Sequence, residues 1–213
     1  MGHKMHSLIE VDKKISSISH AVVFTAQSHT DLVWRIQELR RRIFVEHLGW
    51  PLSVDGDRER DQFDRKDTIY GAVVENAVPV ACWRLLPTDK PYLLADVFPH
   101  LTDGESLPHS NSVWEISRFG VDPDHPAPNL MTRELLGLMM RFAVSRRIET
   151  IVAVTDAAFQ RVLARNGLTM FRYAGFEEVG GGARGPIIAG GLHVAEQTNP
   201  RYRKILAPLK EAA

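Results

Sequence analysis

A single cysteine, Cys82, stands in the chain, so no internal disulfide can form, which suits a reducing compartment. It lies in the apolar run Val80-Ala81-Cys82-Trp83, the setting of a small buried hydrophobe. An excess of one charge is missing too, since 26 Lys and Arg balance 26 Asp and Glu. A neutral total argues against a protein-wide field that would gather nucleic acid or anionic membrane, but leaves room for a local basic patch. No apolar stretch approaches the ~18 residues that a membrane span needs. No cationic start followed by a long apolar run marks a secretory signal. Met1-Gly2 opens like an acylation signal, but His6 stands where Ser or Thr is required. Internal repeats and low-complexity tracts are lacking as well. The expectation is a soluble cytoplasmic protein with no nucleic-acid or membrane partner and no bound metal.

What is present is ordinary globular material: 213 residues, 44% hydrophobic and 24% charged. At ~150 residues per domain this length means one domain. We expect residues 1–20 to form a loose arm and 21–213 a single domain. Ala21 to Thr25 reads as a strand, and Thr30-Asp31 as the cap of a helix carrying Leu32, Ile36, Leu39 and Ile43 at helical spacing. Leu48 to Asp67 reads as an ordered loop, rich in charge and anchored by Leu48, Trp50 and Phe63. Tyr70 to Glu75 and Val78 to Leu86 are expected strands around a turn at Glu75-Asn76-Ala77, and Val113 to Val121 is another. A helix over Thr132 to Arg147, a buried strand Ile151 to Thr155 and a helix over Ala157 to Asn166 follow, closed by Gly167. Gly180-Gly181-Gly182 with Gly185-Pro186 reads as a mobile turn before a last strand, Ile187 to Val194. This order predicts an α/β fold, a mixed twisted sheet flanked by helices, with Val113 to Thr155 forming a crossover between parallel strands.

Four segments carry charge or aromatic groups where plain core or plain surface would not. They are Arg40, Phe44 and Trp50; Asp61-Gln62-Phe63-Asp64; Arg84 within an apolar strand; and Glu115 with Arg118. Charges on half-buried strands must be paired or face a cleft, because an isolated buried charge is costly. Taken singly, Arg84 fits a solvated strand face, the aspartates fit loop caps, and Glu115 with Arg118 fits a structural ion pair. Strict alternation puts Glu115 and Ser117 on one strand face and Arg118 on the other. A bulge within Ile116 to Arg118 would bring both charges together.

The run Arg40-x-x-x-Phe44, Trp50, Asp61-Gln62-Phe63-Asp64, Arg84-Leu85-Leu86-Pro87-Thr88 and Trp114-Glu115-Ile116-Ser117-Arg118-Phe119 closely resembles the LuxI-type acyl-homoserine lactone synthases. The resemblance covers about residues 22 to 170 and extends to Pro91-Tyr92-Leu93-Leu94-Ala95-Asp96-Val97-Phe98. It implies a fold related to the GCN5-type N-acetyltransferases. The glycine-rich pyrophosphate loop of those enzymes is missing, and Pro126-Ala127-Pro128-Asn129-Leu130-Met131 stands in its place, with few free amides for phosphate. That departure favours an acyl carrier protein as acyl donor over coenzyme A.

The resemblance further implies an acyltransferase that makes a quorum-sensing signal from S-adenosylmethionine and an acyl thioester. S-adenosylmethionine is then a substrate, and no cofactor is expected. Its amine attacks the acyl carbonyl, and its carboxylate then displaces methylthioadenosine to close the lactone. Glu115 is the expected general base, Ser117 a helper, and a bulged-strand amide an oxyanion donor. Asp61, Asp64 and Glu115 set against Arg40, Arg84 and Arg118 would meet the amphoteric substrate. Phe44 and Trp50 would wall its cleft, where an aromatic face suits a sulfonium. Met139, Phe142, Val152 and Thr155 are the expected acyl-chain residues. In the family a threonine on that strand is linked to 3-oxo chains. Arg146, Arg147, Arg161 and Arg165, with Arg141 and Arg172, form the expected docking surface for an acidic carrier. The protein is expected to be a monomer. The competing readings are an acyl-coenzyme A-dependent N-acyltransferase acting on another amine, and a catalytically silent relative that binds S-adenosylmethionine or a signal lipid.

Overall fold

The structure, a computed structural model, describes residues 19–177 and 186–206. The expected arm therefore lies outside the described residues except at its last two positions, as does the expected glycine turn at Gly180 to Gly185.

Seven strands form one sheet in the order β1-β4-β5-β6-β7-β9-β8. They are β1 (Ser19–Thr25), β4 (Ile69–Glu75), β5 (Val78–Pro87), β6 (Val113–Val121), β7 (Thr150–Asp156), β8 (Phe171–Glu177) and β9 (Ile187–His193). All neighbours are antiparallel except β6 and β7. Those two are joined by α3 (Pro128–Ser145), the expected crossover. A separate two-stranded hairpin, β2 (Val54–Asp55) and β3 (Arg58–Glu59), interrupts the segment that reads from sequence as loop alone. Gly56 at its turn has φ +61°, a left-handed conformation that suits glycine.

α1 (Thr30–Arg40) begins one residue earlier than a Thr30 cap would place it. His29 holds the cap position and makes no side-chain capping bond. The helix runs directly into a π-helical segment, Arg41–His47. The wider turn leaves Ile43 and Phe44 both buried, as π-bulges near functional sites often do. Both side chains meet Gly120 of β6, where a Cβ would lie 3.1 Å from each ring or methyl group. α3 starts at Pro128 rather than Thr132, because proline needs no amide partner in a first helical turn. α4 (Ala157–Arg165) is capped by the Asp156 carboxylate, which accepts from the Phe159 amide at 2.8 Å. Gly167 follows with φ +79°, the expected left-handed stop. Two short helices, α2 (Leu93–Asp96) and α5 (Pro200–Leu206), and the strand β8 carry too little periodicity to stand out from sequence.

The two sheet faces are filled differently. On one, Trp83, Leu85, Ile116 and Ile151 pack against Leu135, Leu138 and Met139 of α3. The other is divided. Phe24, Ile36, Leu39, Phe44 and Tyr70 form one apolar cluster, while Phe63, Leu86, Tyr92, Leu94 and Leu101 form another. Along β5, Cys82 belongs to the first and Leu86 to the second. Arg84 falls between them on the same face, at the seam where the charged residues gather.

Candidate active site

Local backbone geometry explains how the charges reach one place. Cys82 pairs with Gly120 and Arg84 with Ser117, so two steps on β5 face three on β6. The extra residue is a bulge, and Arg118 within it has φ +52°. The bulge turns Arg118 toward the side of Ser117 and Arg84, as the sequence leads one to expect. It does not pair Arg118 with Glu115.

Three guanidiniums and three carboxylates interlock instead. Arg40 donates from Nε to Glu59 Oε2 (2.6 Å) and from Nη1 and Nη2 to Asp64 Oδ1 and Oδ2 (2.7 and 3.0 Å). Arg84 donates from Nη1 and Nη2 to the two oxygens of Asp61 (2.5 and 3.0 Å), from Nη1 to Asp64 Oδ1 (3.0 Å) and from Nε to Ser117 Oγ (3.0 Å). Arg118 donates to Glu59 from Nε (3.0 Å) and Nη2 (2.9 Å), and from Nη2 to Asp61 Oδ2 (3.0 Å). The Tyr70 hydroxyl completes Asp64 at 2.6 Å. The expected three-against-three balance therefore holds with a different third acid: Glu59 takes the place assigned to Glu115. Glu59 and Tyr70 are the two members that sequence reasoning missed. Glu59 sits among Arg58 and Arg60 in a charged run without any period to single it out, and Tyr70 reads as a plain strand aromatic.

The network has a sealed part and an open edge. The side chains of Arg40 and Arg84 are 0% exposed and those of Glu59 and Asp64 1%, whereas Asp61 is 14% and Arg118 7% exposed. Burial opposes ionisation of Asp64, but Arg40 and Arg84 outweigh it and hold its carboxyl far below the ordinary range. Glu59 and Asp61 are lowered in the same way against burial, by Arg40 with Arg118 and by Arg84 respectively. These charges stay on at any neutral pH. Beside the open edge, the Arg118 guanidinium lies 5.9 Å over the Phe44 ring, and Phe44 stacks on Trp50 at 5.0 Å.

Glu115 stands apart. Fully buried, it accepts the amides of Leu93 and Leu94, both at 2.7 Å, at the start of α2. Burial pushes its pKa up to about 7, against the pull of those two amides. A carboxyl of that kind changes charge near neutrality, as the network acids do not. Cys82, also buried, has its thiol pushed up to about 12 by burial, which excludes a ready nucleophile.

Beneath the bulge the sheet opens. β6 and β7 pair only from Val113 with Thr150 to Glu115 with Val152. On the α3 side of this parting lies an apolar pocket lined by Ile116, Met139, Ile151, Ala153, Phe159, Leu163 and Met170, among others. Of the four residues expected to hold an acyl chain, only Met139 lines it. Phe142 packs against Trp83 and Trp114. Val152 is buried next to Glu115 in the register, on the opposite face from Ile151 and Ala153. The Thr155 hydroxyl turns to the carbonyl of Asp156 at 3.4 Å.

Arg146, Arg147, Arg161, Arg165 and Arg172 are exposed, the first two at the end of α3 and the next two along α4. None of the five is paired with an acid among the described residues. Arg141 does not belong with them: it donates to the Ile205 carbonyl at 3.2 Å and lies 4.0 Å from Glu134. Among the described residues no group of three or more His, Cys, Asp or Glu is placed to hold a metal, and no helix is long and apolar enough to cross a membrane.

Comparison with known proteins identifies the family and the fold. Residues 24–192 match the family described as autoinducer synthase. An acyl-homoserine-lactone synthase of Ralstonia solanacearum is 37% identical over 150 residues, which cover 67% of this chain and 74% of that protein. The coenzyme A-dependent acyl-homoserine lactone synthase BjaI, solved with S-adenosylmethionine and isopentyl-coenzyme A, superposes with a TM-score of 0.77 at 25% identity, covering 92% of this chain and 93% of its own. A Lactobacillus plantarum protein described as an N-acetyltransferase shares the fold, with a TM-score of 0.56 at 16% identity over 82% of this chain and 98% of its own. The mixed sheet is thus of the GCN5-like N-acetyltransferase kind, and the chain belongs to the autoinducer synthase family, an acyltransferase family of acyl-homoserine lactone synthases.

Proposed function

We propose that this chain joins S-adenosylmethionine to an acyl group carried as a thioester on acyl carrier protein, and releases an N-acyl homoserine lactone and methylthioadenosine. The observation that carries this reading is the open edge of the charged network. Asp61 and Arg118 are the least buried acid and guanidinium of the network, and Arg118 lies over Phe44, which stacks on Trp50. A substrate with an ammonium, a carboxylate and a sulfonium meets complementary groups there, the aromatic face serving the sulfonium. The sealed members Arg40, Glu59, Asp64 and Arg84 hold Asp61 and Arg118 in place and do not touch substrate.

Chemistry follows in two steps. The substrate amine must lose a proton before it attacks the thioester carbonyl. Glu115, titrating near 7, takes that proton directly or through one water. Ser117 is already committed to Arg84, so its part is to position that guanidinium. The carrier thiol leaves, and an amide remains. The carboxylate of the same substrate then displaces methylthioadenosine from the γ-carbon. Here the sulfonium supplies the leaving group, and the protein supplies proximity.

Support for a carrier protein as donor comes from the loop before α3. Pro126 and Pro128 lack amide hydrogens, and the Ala127 amide is taken by His125 Nδ1 at 3.1 Å, so little remains to grip a pyrophosphate. The relative BjaI uses coenzyme A, which keeps that donor as the second reading. The test is to offer octanoyl groups on carrier protein and on coenzyme A with S-adenosylmethionine, and to identify products by mass. Lactone and methylthioadenosine from the carrier-bound donor are expected. Lactone from coenzyme A alone would favour the second reading. Thiol release with neither product would support N-acylation of another amine.

A further inference from the structure

We infer that Arg65, which lies outside the charged network, is a positioning residue for Glu115: it ties the loop bearing Asp61 and Asp64 to the backbone that Glu115 grips. The inference rests on the proposed function, in which Glu115 is the base, and adds a residue to it.

Glu115 is held by backbone. Its two oxygens accept the Leu93 and Leu94 amides, so the groups that place this short segment also place the carboxylate. α2 is one turn long and cannot hold its own position. Side chains fasten it instead. Toward the loop that leads into β6, the Tyr92 hydroxyl donates to the Pro108 carbonyl at 2.7 Å and Thr88 Oγ1 to the Ser110 carbonyl at 3.0 Å. Toward the network, Arg65 Nη1 donates to the Pro91 carbonyl at 2.8 Å, two residues before Leu93. Lys90 also pairs with Asp67 there, but both side chains are 47% exposed, and such a pair is weak.

The other end of the Arg65 tie is rigid. The buried Thr68 hydroxyl accepts the Arg65 amide at 2.9 Å and donates to the Phe63 carbonyl at 2.7 Å. Arg65 directly follows Asp64, whose carboxylate is locked by Arg40, Arg84 and Tyr70. One arginine thereby spans from the network acids to the cradle of the base. Its Nη2 is buried without a hydrogen-bond partner. That unmet donor is a cost, which an arginine merely lying on the surface would not carry.

Losing the tie should loosen the Leu93 and Leu94 amides. Those amides favour the charged carboxylate against burial, so weaker bonds raise the pH at which Glu115 ionises. The other groups that act on Glu115 stay as they are: Arg84 from β5, Asp61 from the network loop and the nearby Tyr92 hydroxyl.

The test follows methylthioadenosine release against pH in wild type, Arg65→Met and Arg65→Lys, with amide hydrogen exchange at Leu93 and Leu94 measured alongside. In Arg65→Met the inflection of kcat/KM should rise by roughly half a unit to one unit. Turnover should then be down roughly two- to fivefold at pH 7 and close to wild type at pH 9. Arg65→Lys keeps a donor for the Pro91 carbonyl, and its inflection should fall between the two. Leu93 and Leu94 should exchange faster in Arg65→Met, by roughly threefold or more. A purely structural role would lower turnover alike at every pH and leave the inflection in place, and that result would overturn the inference. Leu93 and Leu94 protected as in wild type would overturn it as well. A wild-type profile without an inflection near 7 is a different result: it overturns Glu115 as the base, and the exchange rates alone then decide whether Arg65 holds the cradle.

Discussion

Glu59 and Arg118 form a two-point ion pair under the bulge of β6, with Glu59 accepting Arg118 Nε at 3.0 Å and Nη2 at 2.9 Å. Glu59 Oε2 also accepts Arg40 Nε at 2.6 Å, so one carboxylate ties the first helix to the central strand. Removing it leaves two buried guanidiniums short of charge. Glu59→Ala should lower stability by about 3 to 5 kcal/mol, read as a shift in the urea midpoint, with lactone output lost. A midpoint close to wild type would mean that Asp61 and Asp64 alone neutralise the cluster.

Asp64 gives a pH test of the same network. Its folded pKa is depressed, so its stabilising contribution is fully present above the unfolded value near 3.8 and fades as pH falls through the folded one. Asp64→Asn should therefore be less stable than wild type at pH 7. The gap between their melting temperatures should begin to shrink below about pH 4 and go on shrinking with further acid. A gap that is constant down to pH 2 would show that the asparagine loses packing and not charge.

The base role proposed for Glu115 makes a prediction about the pH dependence of turnover. A base must be ionised, and its pKa is raised to about 7 by burial, so kcat/KM should fall as pH drops through about 7. Glu115→Gln should remove that inflection along with most activity. Its amide would also set a donor against the Leu93 or Leu94 amide, loosening α2. A variant that keeps wild-type turnover at saturating substrates, with the inflection unchanged, would exclude the role.

Arg161 and Arg165 stand four residues apart on one face of α4, exposed and unpaired among the described residues. If they receive an acidic carrier protein, reversing both to glutamate should raise KM for the acyl carrier by roughly tenfold. KM for S-adenosylmethionine should stay as it is. Added salt should raise the carrier KM of the wild type in the same direction. A carrier KM indifferent to both would place the docking surface elsewhere.

The sheet was readable because β4, β5, β6 and β7 are long, apolar and bounded by turn residues, and because α3 repeats Leu135, Leu138, Met139 and Phe142 at helical spacing. α2 and α5 span four and seven residues, too few for a period to emerge. The site divides along a similar line. Arg40, Asp61, Asp64, Arg84 and Arg118 are visible as charges inside or beside apolar segments. Glu59 is hidden because it alternates with arginines in a charged run, and its burial depends on a hairpin folding over α1. Glu115 was legible as an anomaly but not in its partners. Which acid meets Arg118 is decided by where the 48–67 segment lands, a tertiary fact without a local signature. Which residues line the apolar pocket was hidden for another reason: strand alternation puts Ala153 in its wall and Val152 behind it, and the phase of a short buried strand cannot be taken from composition.

The central claim is that one site both acylates the amine of S-adenosylmethionine and expels methylthioadenosine from the same molecule. It is tested most directly by following carrier-thiol release and methylthioadenosine release together in one reaction with octanoyl-carrier protein. The account predicts equal amounts of the two, matched by octanoyl homoserine lactone. Thiol released without methylthioadenosine, or neither product released, would contradict it.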